Sequence, residues 1–173
     1  MLSSLFGGKK DALEATELAL KSIDWKYSRR DDRTIITGFK SGSIAVVIAI
    51  RNETDKRALL VMGNALMGVA NPMTMLGSGE LKLLRVHTAA GHSAQQVSKV
   101  CEYLLSRNYE LAVGAFERDP SDGEIRFRIG LPYRDAPPTE EQMKWCLALT
   151  SDAMSQLLRD VADFVESSQG MEI

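Results

Sequence analysis

Residues 107–131 constrain the fold most, because they have the pattern of one complete β-hairpin. Apolar residues alternate with polar or small ones in two runs, which are Tyr109, Leu111, Val113 and Ala115 before the turn and Ile125, Phe127, Ile129 and Leu131 after it. A period of two is typical of strands that bury one face. Residues 119–123 between the runs read Asp-Pro-Ser-Asp-Gly, in which Pro presets φ and Gly accepts positive φ. The pattern predicts two antiparallel strands joined by this turn.

Three capping signals predict three helices, and each signal precedes apolar residues at helical intervals. The signals are Asp11 with Glu14, Ser93 with Gln96, and Thr139 with Gln142. The third helix is predicted over residues 139–165 and would be about 40 Å long at 1.5 Å per residue. Since this length exceeds what a small sheet needs as cover, we expect part of the helix to pack on another subunit.

Strand composition recurs at residues 34–39, 44–50 and 58–62, which predicts a three-stranded antiparallel meander. Trp25 and Tyr27 are interpreted as the start of a further short strand, and residues 81–87 as a short strand or an extended crossover. The element order is then α-β-β-β-α-β-β-α. It predicts a single α+β domain over residues 1–173, with helices packed on an antiparallel sheet of about five strands.

The charge balance argues against partners that are recognised through an overall field. The chain has 21 basic and 23 acidic residues and a net charge of -2, which offers no general attraction for nucleic acid or an anionic membrane. The most hydrophobic stretch, residues 44–50, is too short to span a bilayer, and the first residues lack an apolar run of signal-peptide length. We therefore expect a cytoplasmic protein, with Cys101 and Cys146 as reduced core residues.

No pattern in the sequence indicates an enzyme, a cofactor or a metal site. His87 and His92, taken with Cys101 or Glu102, lack the ligand spacing of zinc sites. Residues 77–80 lack the Lys and the Ser or Thr of a phosphate-binding loop. Acid–base catalysis needs a positioned titrating pair, and none is visible. We expect a non-enzymatic protein without a cofactor.

The segment 63–79 loses all periodicity and includes Met67 and Met73. Thioethers repack at little cost, so one interpretation is an adaptable surface for a partner. The other interpretation, which we favour, is a loop held over the core by its apolar residues. If the segment does contact a partner, Phe39 and Phe116 are expected to share the groove with these methionines.

Arg126 and Arg128 lie two apart on the outward face of the second hairpin strand. Two guanidinium groups on one sheet face suit a carboxylate or phosphate ligand. They also suit ion pairs across the strands with Glu110 or Glu117, and we favour this interpretation because antiparallel sheets commonly show one polar face to water.

The predicted element order resembles the type III secretion chaperone fold. The residues RNY at 107–109, GAFERD at 114–119 and DGEIRFR at 122–128 resemble the YbjN-type domain of bacterial proteins. That family is described as regulators of sensory transduction, related in fold to the secretion chaperones. The resemblance covers most of residues 13–165 and is specific in the stretch just quoted. It implies a small bacterial domain that binds other proteins, often pairs with itself and has no catalytic residues to carry over.

These observations favour a non-enzymatic protein-binding module, chaperone-like or a regulatory adaptor. We expect a homodimer, formed through the long C-terminal helix or a sheet edge, and a protein partner of unknown identity. The residues expected to contact the partner are Phe39, Met67, Met73, Phe116, Arg126 and Arg128. The alternative function is a sensor that binds an anionic metabolite at the Arg126 and Arg128 face.

Overall fold

The computed structural model describes residues 11–41, 44–66, 84–86, 91–133 and 136–169, with residues 162–169 described only as helical backbone. Its elements are α1 (Glu14–Ser22), β1 (Tyr27–Arg29), β2 (Thr34–Ser41), β3 (Ile44–Glu53), β4 (Ala58–Leu66), α2 (Ala94–Glu110), β5 (Ala115–Arg118), β6 (Ile125–Pro132) and α3 (Glu140–Gln169). A single 3-10 turn, Thr54–Lys56, joins β3 to β4. None of the helices within the described ranges is both long enough and apolar enough to cross a membrane.

The six strands form one antiparallel sheet in the order β1-β2-β3-β4-β6-β5. The α+β class and the central place of residues 44–50 are therefore confirmed, because β3 pairs with β2 on one side and β4 on the other. The sheet has one strand more than the approximate five, since the residues after Trp25 form β1. The element order becomes α-β-β-β-β-α-β-β-α.

One hydrophobic core joins the sheet to all three helices. Inward side chains of the sheet include Ile48 and Phe127, and α2 and α3 contribute Leu104 and Leu147 to the same cluster. The opposite face of the sheet carries a second, smaller cluster, made of Ile36, Ala45, Val47 and Leu66. The alternation along β3 explains the division, because successive side chains of a strand point to opposite faces.

The predicted hairpin is correct in its second half and wrong in its first. Ile125, Phe127 and Ile129 are fully buried on β6, as the alternation predicts. The first run does not form a long strand, because α2 continues to Glu110 and β5 begins only at Ala115. The predicted buried side is also the wrong one. Tyr109, which the alternation places inward, is 94% exposed, whereas Phe116 is 6% exposed. The chain turns between the two elements at Gly114, whose φ of 83° suits glycine.

Two of the three capping boxes form as predicted. Ser93 and Gln96 exchange side-chain and backbone hydrogen bonds at the start of α2, and Thr139 and Gln142 do the same before α3. The third predicted capping box, at Asp11, does not form. Its Oδ1 accepts from the backbone N–H of Leu13 at 3.0 Å, and the carboxylate also binds Arg29 of β1, so α1 begins at Glu14 without a side-chain cap.

The last strand of the meander is longer than predicted, because β4 continues four residues past Met62 to Leu66. Of residues 81–87, the structure describes 84–86, which run extended between β4 and β6. The N–H of Leu84 donates to the carbonyl of Ala65 at 2.9 Å, and the carbonyl of Leu84 accepts from the N–H of Ile125 at 3.1 Å. Met67, Met73, residues 77–80 and His87 lie outside the described residues.

Candidate functional site

An open groove of about 600 Å³ lies where the end of α1 meets the first half of α3. Its apolar lining comes from Ile23, Trp25, Trp145, Ala148 and Leu149, and its polar lining from Lys144, Ser151 and Asp152. We call it the α1–α3 groove. Its size is within the range of sites that accept a ligand or the side chains of a partner.

Trp145 gives the groove its exposed apolar surface. Its side chain lies on the solvent side of α3 and is 50% exposed, while Cys146 and Leu147 beside it are fully buried. Ile23 and Leu18 of the α1 region are exposed as well. Large apolar side chains that stay in water cost free energy, and a cluster of them often marks a binding surface.

Trp25 reaches the groove because α1 ends in a tight turn. The N–H of Trp25 donates to the carbonyl of Leu20 at 2.9 Å, and the N–H of Asp24 donates to the carbonyl of Lys21 at 3.2 Å. These are the two hydrogen bonds of a Schellman motif. Asp24 supplies the left-handed conformation that the motif needs, with a φ of 54°. The Trp25 ring then packs on Phe39 of β2, with 5.7 Å between centroids.

The polar side of the groove is held in place by ion pairs along α3. Lys144 binds Glu140 at 2.7 Å and lies 4.0 Å from Glu141. The hydrogen bond from Lys144 lowers the pKa of Glu140, and the same bond raises the pKa of Lys144. Both groups are therefore charged near neutral pH, and the rim carries charges of both signs beside the apolar lining.

Arg126 and Arg128 lie on the other face of the sheet, away from the helices, and both bind Glu117 of β5. Arg126 Nε is 2.9 Å from Glu117 Oε2, and Arg128 Nε is 2.6 Å from Oε1. The predicted pairing across the strands is thus confirmed for Glu117, whereas Glu110 pairs with Arg107 on α2 instead. An anionic ligand at this face would have to compete with the Glu117 carboxylate.

The remaining predicted contact residues are scattered. Phe116 is in the core, with its ring 5.0 Å from that of Phe127, so it presents almost no surface to a partner. Phe39 is half-buried and supports Trp25 from behind. Met67 and Met73 fall outside the described residues.

A second exposed apolar patch lies at the end of α2 and just beyond it, where Leu105 is 69% exposed and Tyr109 and Val113 are also exposed. We call it the α2 patch. Its three residues line neither the α1–α3 groove nor the smaller cavity beside Tyr103 and Val161. The α1–α3 groove combines exposed apolar surface with a concave shape and is therefore the better candidate site.

The described residues contain no group of three His, Cys, Asp or Glu side chains placed to hold a metal ion. Cys146 is fully buried beneath Trp145, and burial raises the pKa of its thiol to about 11. Cys101 is half-buried and also free. Neither thiol lines the α1–α3 groove.

The aromatic residues of the groove were not among the sequence predictions, because they come from positions more than a hundred residues apart. One signal was present. Trp145 falls on the polar side of a helix whose buried side is already complete, and a Trp in that position is unusual in a helix that has no further contact. Comparisons with protein-family models, with curated proteins and with solved structures each find no match.

Proposed function

We propose that this chain is a non-enzymatic protein-binding module, a chaperone-like or regulatory adaptor of bacterial type that acts in the cytoplasm. The α1–α3 groove is its contact surface. The observation that carries the proposal is the half-exposed Trp145 beside a concave apolar lining. Trp is among the residues that most often dominate the binding energy of protein interfaces, and such residues sit in pockets that a partner seals from water.

The groove suits an apolar side chain presented by another protein. Its lining combines the indoles of Trp25 and Trp145 with Ala148 and Leu149, and it is open rather than enclosed. An open, mainly apolar surface with a charged rim has the anatomy of a protein interface, in which the centre is dry and the rim stays polar. The two free thiols are compatible with a reducing compartment.

The test compares the two exposed apolar surfaces of the described chain. Trp145→Glu places a charge in the groove, and Tyr109→Ser removes an even more exposed aromatic ring from the α2 patch. Each variant and the unaltered chain are immobilised, and the proteins that they capture from cells are identified by mass spectrometry. We expect capture to be lost with Trp145→Glu and kept with Tyr109→Ser.

Tyr109 is almost fully exposed, so Tyr109→Ser should change the free energy of unfolding by no more than about 0.5 kcal/mol. Trp145 is half-exposed, so Trp145→Glu should lower the free energy of unfolding by about 1 to 2 kcal/mol and leave the chain folded. Loss of capture in a Trp145→Glu chain that urea denaturation shows to be folded reports on the surface and not on folding. If capture is lost only with Tyr109→Ser, the α2 patch is the contact surface and the assignment of the groove is wrong.

A further inference from the structure

We propose that the occupant of the α1–α3 groove is a second copy of this chain, packed antiparallel along α3 so that Glu141 of each copy lies opposite Arg159 of the other. This inference rests on the proposed function and names its partner. It follows from a stripe on the outward side of α3, from the charges at the two ends of that stripe, and from the edge strands of the sheet, which are short or already bonded.

The outward side of α3 carries one straight stripe of side chains. Its members recur at intervals of four or three residues, and they are Glu141, Trp145, Ala148, Asp152, Ser155 and Arg159. Five such steps cover 18 residues, which matches the helical period of about 3.6, so the stripe runs parallel to the helix axis over about 27 Å. Two straight stripes of this kind can meet along their whole length.

The charges at the ends of the stripe are complementary only when the second copy runs antiparallel. Glu141 and Arg159 are equally far from position 150, so a two-fold axis at that level places each beside the opposite charge of the other copy. A parallel pair would place Glu141 beside Glu141 and Arg159 beside Arg159. Glu141 is free to respond, because its side chain is 88% exposed and its contact with Lys144 is 4.0 Å long.

The middle of the stripe allows a close approach. Ala148 of each copy lies opposite Asp152 of the other, and the same symmetry brings Trp145 of each copy opposite Ser155 of the other. The two Asp152 carboxylates flank the axis and repel each other, so the pairs at the two ends of the stripe must outweigh them. A small residue opposite a large one lets two helices interlock without clashes, as ridges fit into grooves. The indole would then be covered by the second copy and would gain the burial that it lacks in the single chain.

The edges of the sheet are poor alternatives for pairing two copies. At the β5 edge, the side chain of Asn108 already bonds both the N–H and the carbonyl of Phe116, at 2.7 and 3.0 Å. At the other edge, β1 has only three residues, and its Arg29 is held by Asp11 and Glu17. Short and blocked edge strands resist pairing with another chain.

The expected dimer is of moderate strength. Stable interfaces bury about 1,200 to 2,000 Å² in total, and a single helix stripe on each copy supplies only part of that. The exposed Leu18 and Ile23 of the α1 region would add to it. A dissociation constant in the range of about 1 to 50 μM is the natural expectation for such a contact.

The experiment is a charge exchange measured by sedimentation velocity over about 1 to 200 μM, a range that brackets the expected dissociation constant. Glu141→Arg and Arg159→Glu each place like charges together twice in the antiparallel dimer. Each should therefore weaken dimerisation by about ten-fold or more. The control is Glu102→Arg, which makes the same change of charge at an exposed position on α2 and should dimerise like the unaltered chain.

Mixing the two single variants gives the sharpest result. The Glu141→Arg chain carries a basic residue at both ends of the stripe, and the Arg159→Glu chain carries an acidic residue at both ends. Opposite charges then meet at both ends of the antiparallel pair, so the mixture should dimerise at least about ten-fold more tightly than either variant does alone. The double variant Glu141→Arg with Arg159→Glu should dimerise by itself. Dimers of either single variant at the strength of the unaltered chain would overturn the arrangement.

The outcomes also separate this inference from the proposed function. An unaltered chain that stays monomeric at 200 μM, about four times the weakest dissociation constant expected, would overturn the second copy as occupant. If that monomer still captures another protein through Trp145, the protein-binding function stands with a different partner. If it captures nothing, both proposals fail together.

Discussion

The side-chain amide of Asn108 forms two hydrogen bonds with the backbone of one residue, Phe116. Its Nδ2 donates to the Phe116 carbonyl at 3.0 Å, and its Oδ1 accepts from the Phe116 N–H at 2.7 Å. The amide thus occupies the position that a neighbouring strand would take. It closes the outer edge of β5 and joins the end of α2 to the sheet.

Asn108→Ala should lower the free energy of unfolding by about 1 to 3 kcal/mol, because a half-buried backbone N–H and carbonyl lose their partners. It should also raise the tendency to aggregate at high concentration, since the β5 edge becomes available for pairing. Urea denaturation and light scattering measure the two effects. Ser106→Ala, an exposed change on the same helix, is the control and should show neither.

Gly63→Ala should destabilise the fold through overpacking. A Cβ at Gly63 would lie 2.7 Å from Thr150 Cγ2 and 2.8 Å from Met154 Cγ, so α3 would have to move away from β4. Such strain costs typically about 1 to 3 kcal/mol. The matched control is Gly130→Ala on β6, where the nearest atom, Leu60 Cδ2, is 3.8 Å away. Equal midpoints of thermal unfolding for the two variants would show that β4 and α3 are not in close contact.

Cys146 should resist alkylation in the folded protein. Burial raises the pKa of its thiol from 9.0 to about 11, so at pH 8 it is neutral as well as enclosed. In a Cys101→Ser chain, where Cys146 is the sole thiol, iodoacetamide should label the protein only after urea is added. Labelling of the native protein at the unfolded rate would contradict the burial of this residue.

The raised pKa of Cys146 makes the free energy of unfolding depend on pH in the alkaline range. Because the folded pKa is above the unfolded one, the contribution of Cys146 is complete below about pH 9 and is lost as the pH rises through about 11. The free energy of unfolding, compared with that of Cys146→Ala, should therefore fall by at most about 2 to 3 kcal/mol over that interval.

Glu117→Gln should remove two ion pairs and leave the fold intact. The two guanidinium groups are 40% and 44% exposed, so the loss should be no more than about 1 kcal/mol, and it should shrink in 1 M salt. Glu110→Gln, which removes the single pair with Arg107, is the control. If thermal-shift measurements show that the Glu117→Gln chain binds inorganic phosphate and the unaltered chain does not, Glu117 is what occupies this face.

The sequence predicted best those features that depend on neighbours along the chain. The capping boxes at Ser93 and Thr139 form, and the strands of the meander lie where β-branched and apolar residues cluster. The alternation at 109–115 misled because Tyr109 belongs to the last turn of α2, while Leu111 and Val113 lie in the connection to β5. Contacts between α2 and the core, made by Val100 and Leu104, keep that stretch helical up to Glu110.

The α1–α3 groove was harder to predict, since it depends on how α1 and α3 meet. Trp25 and Trp145 are 120 positions apart, and only the fold brings them to one surface. The prediction of a long third helix is confirmed, because α3 is even longer than expected, at 30 residues. A helix length says that a surface is available, and it does not say which of its residues face outward.

The central claim is that the α1–α3 groove contacts protein, and photo-crosslinking in cells tests it most directly. Trp145 is replaced by p-benzoylphenylalanine, an aromatic residue of comparable size, and Asp32 in the exposed loop between β1 and β2 is replaced in a control chain. Illumination should give a discrete adduct from position 145, of twice the mass of the chain if the partner is a second copy, and none from position 32. The absence of any adduct at position 145, or equal adducts at both positions, would contradict the account.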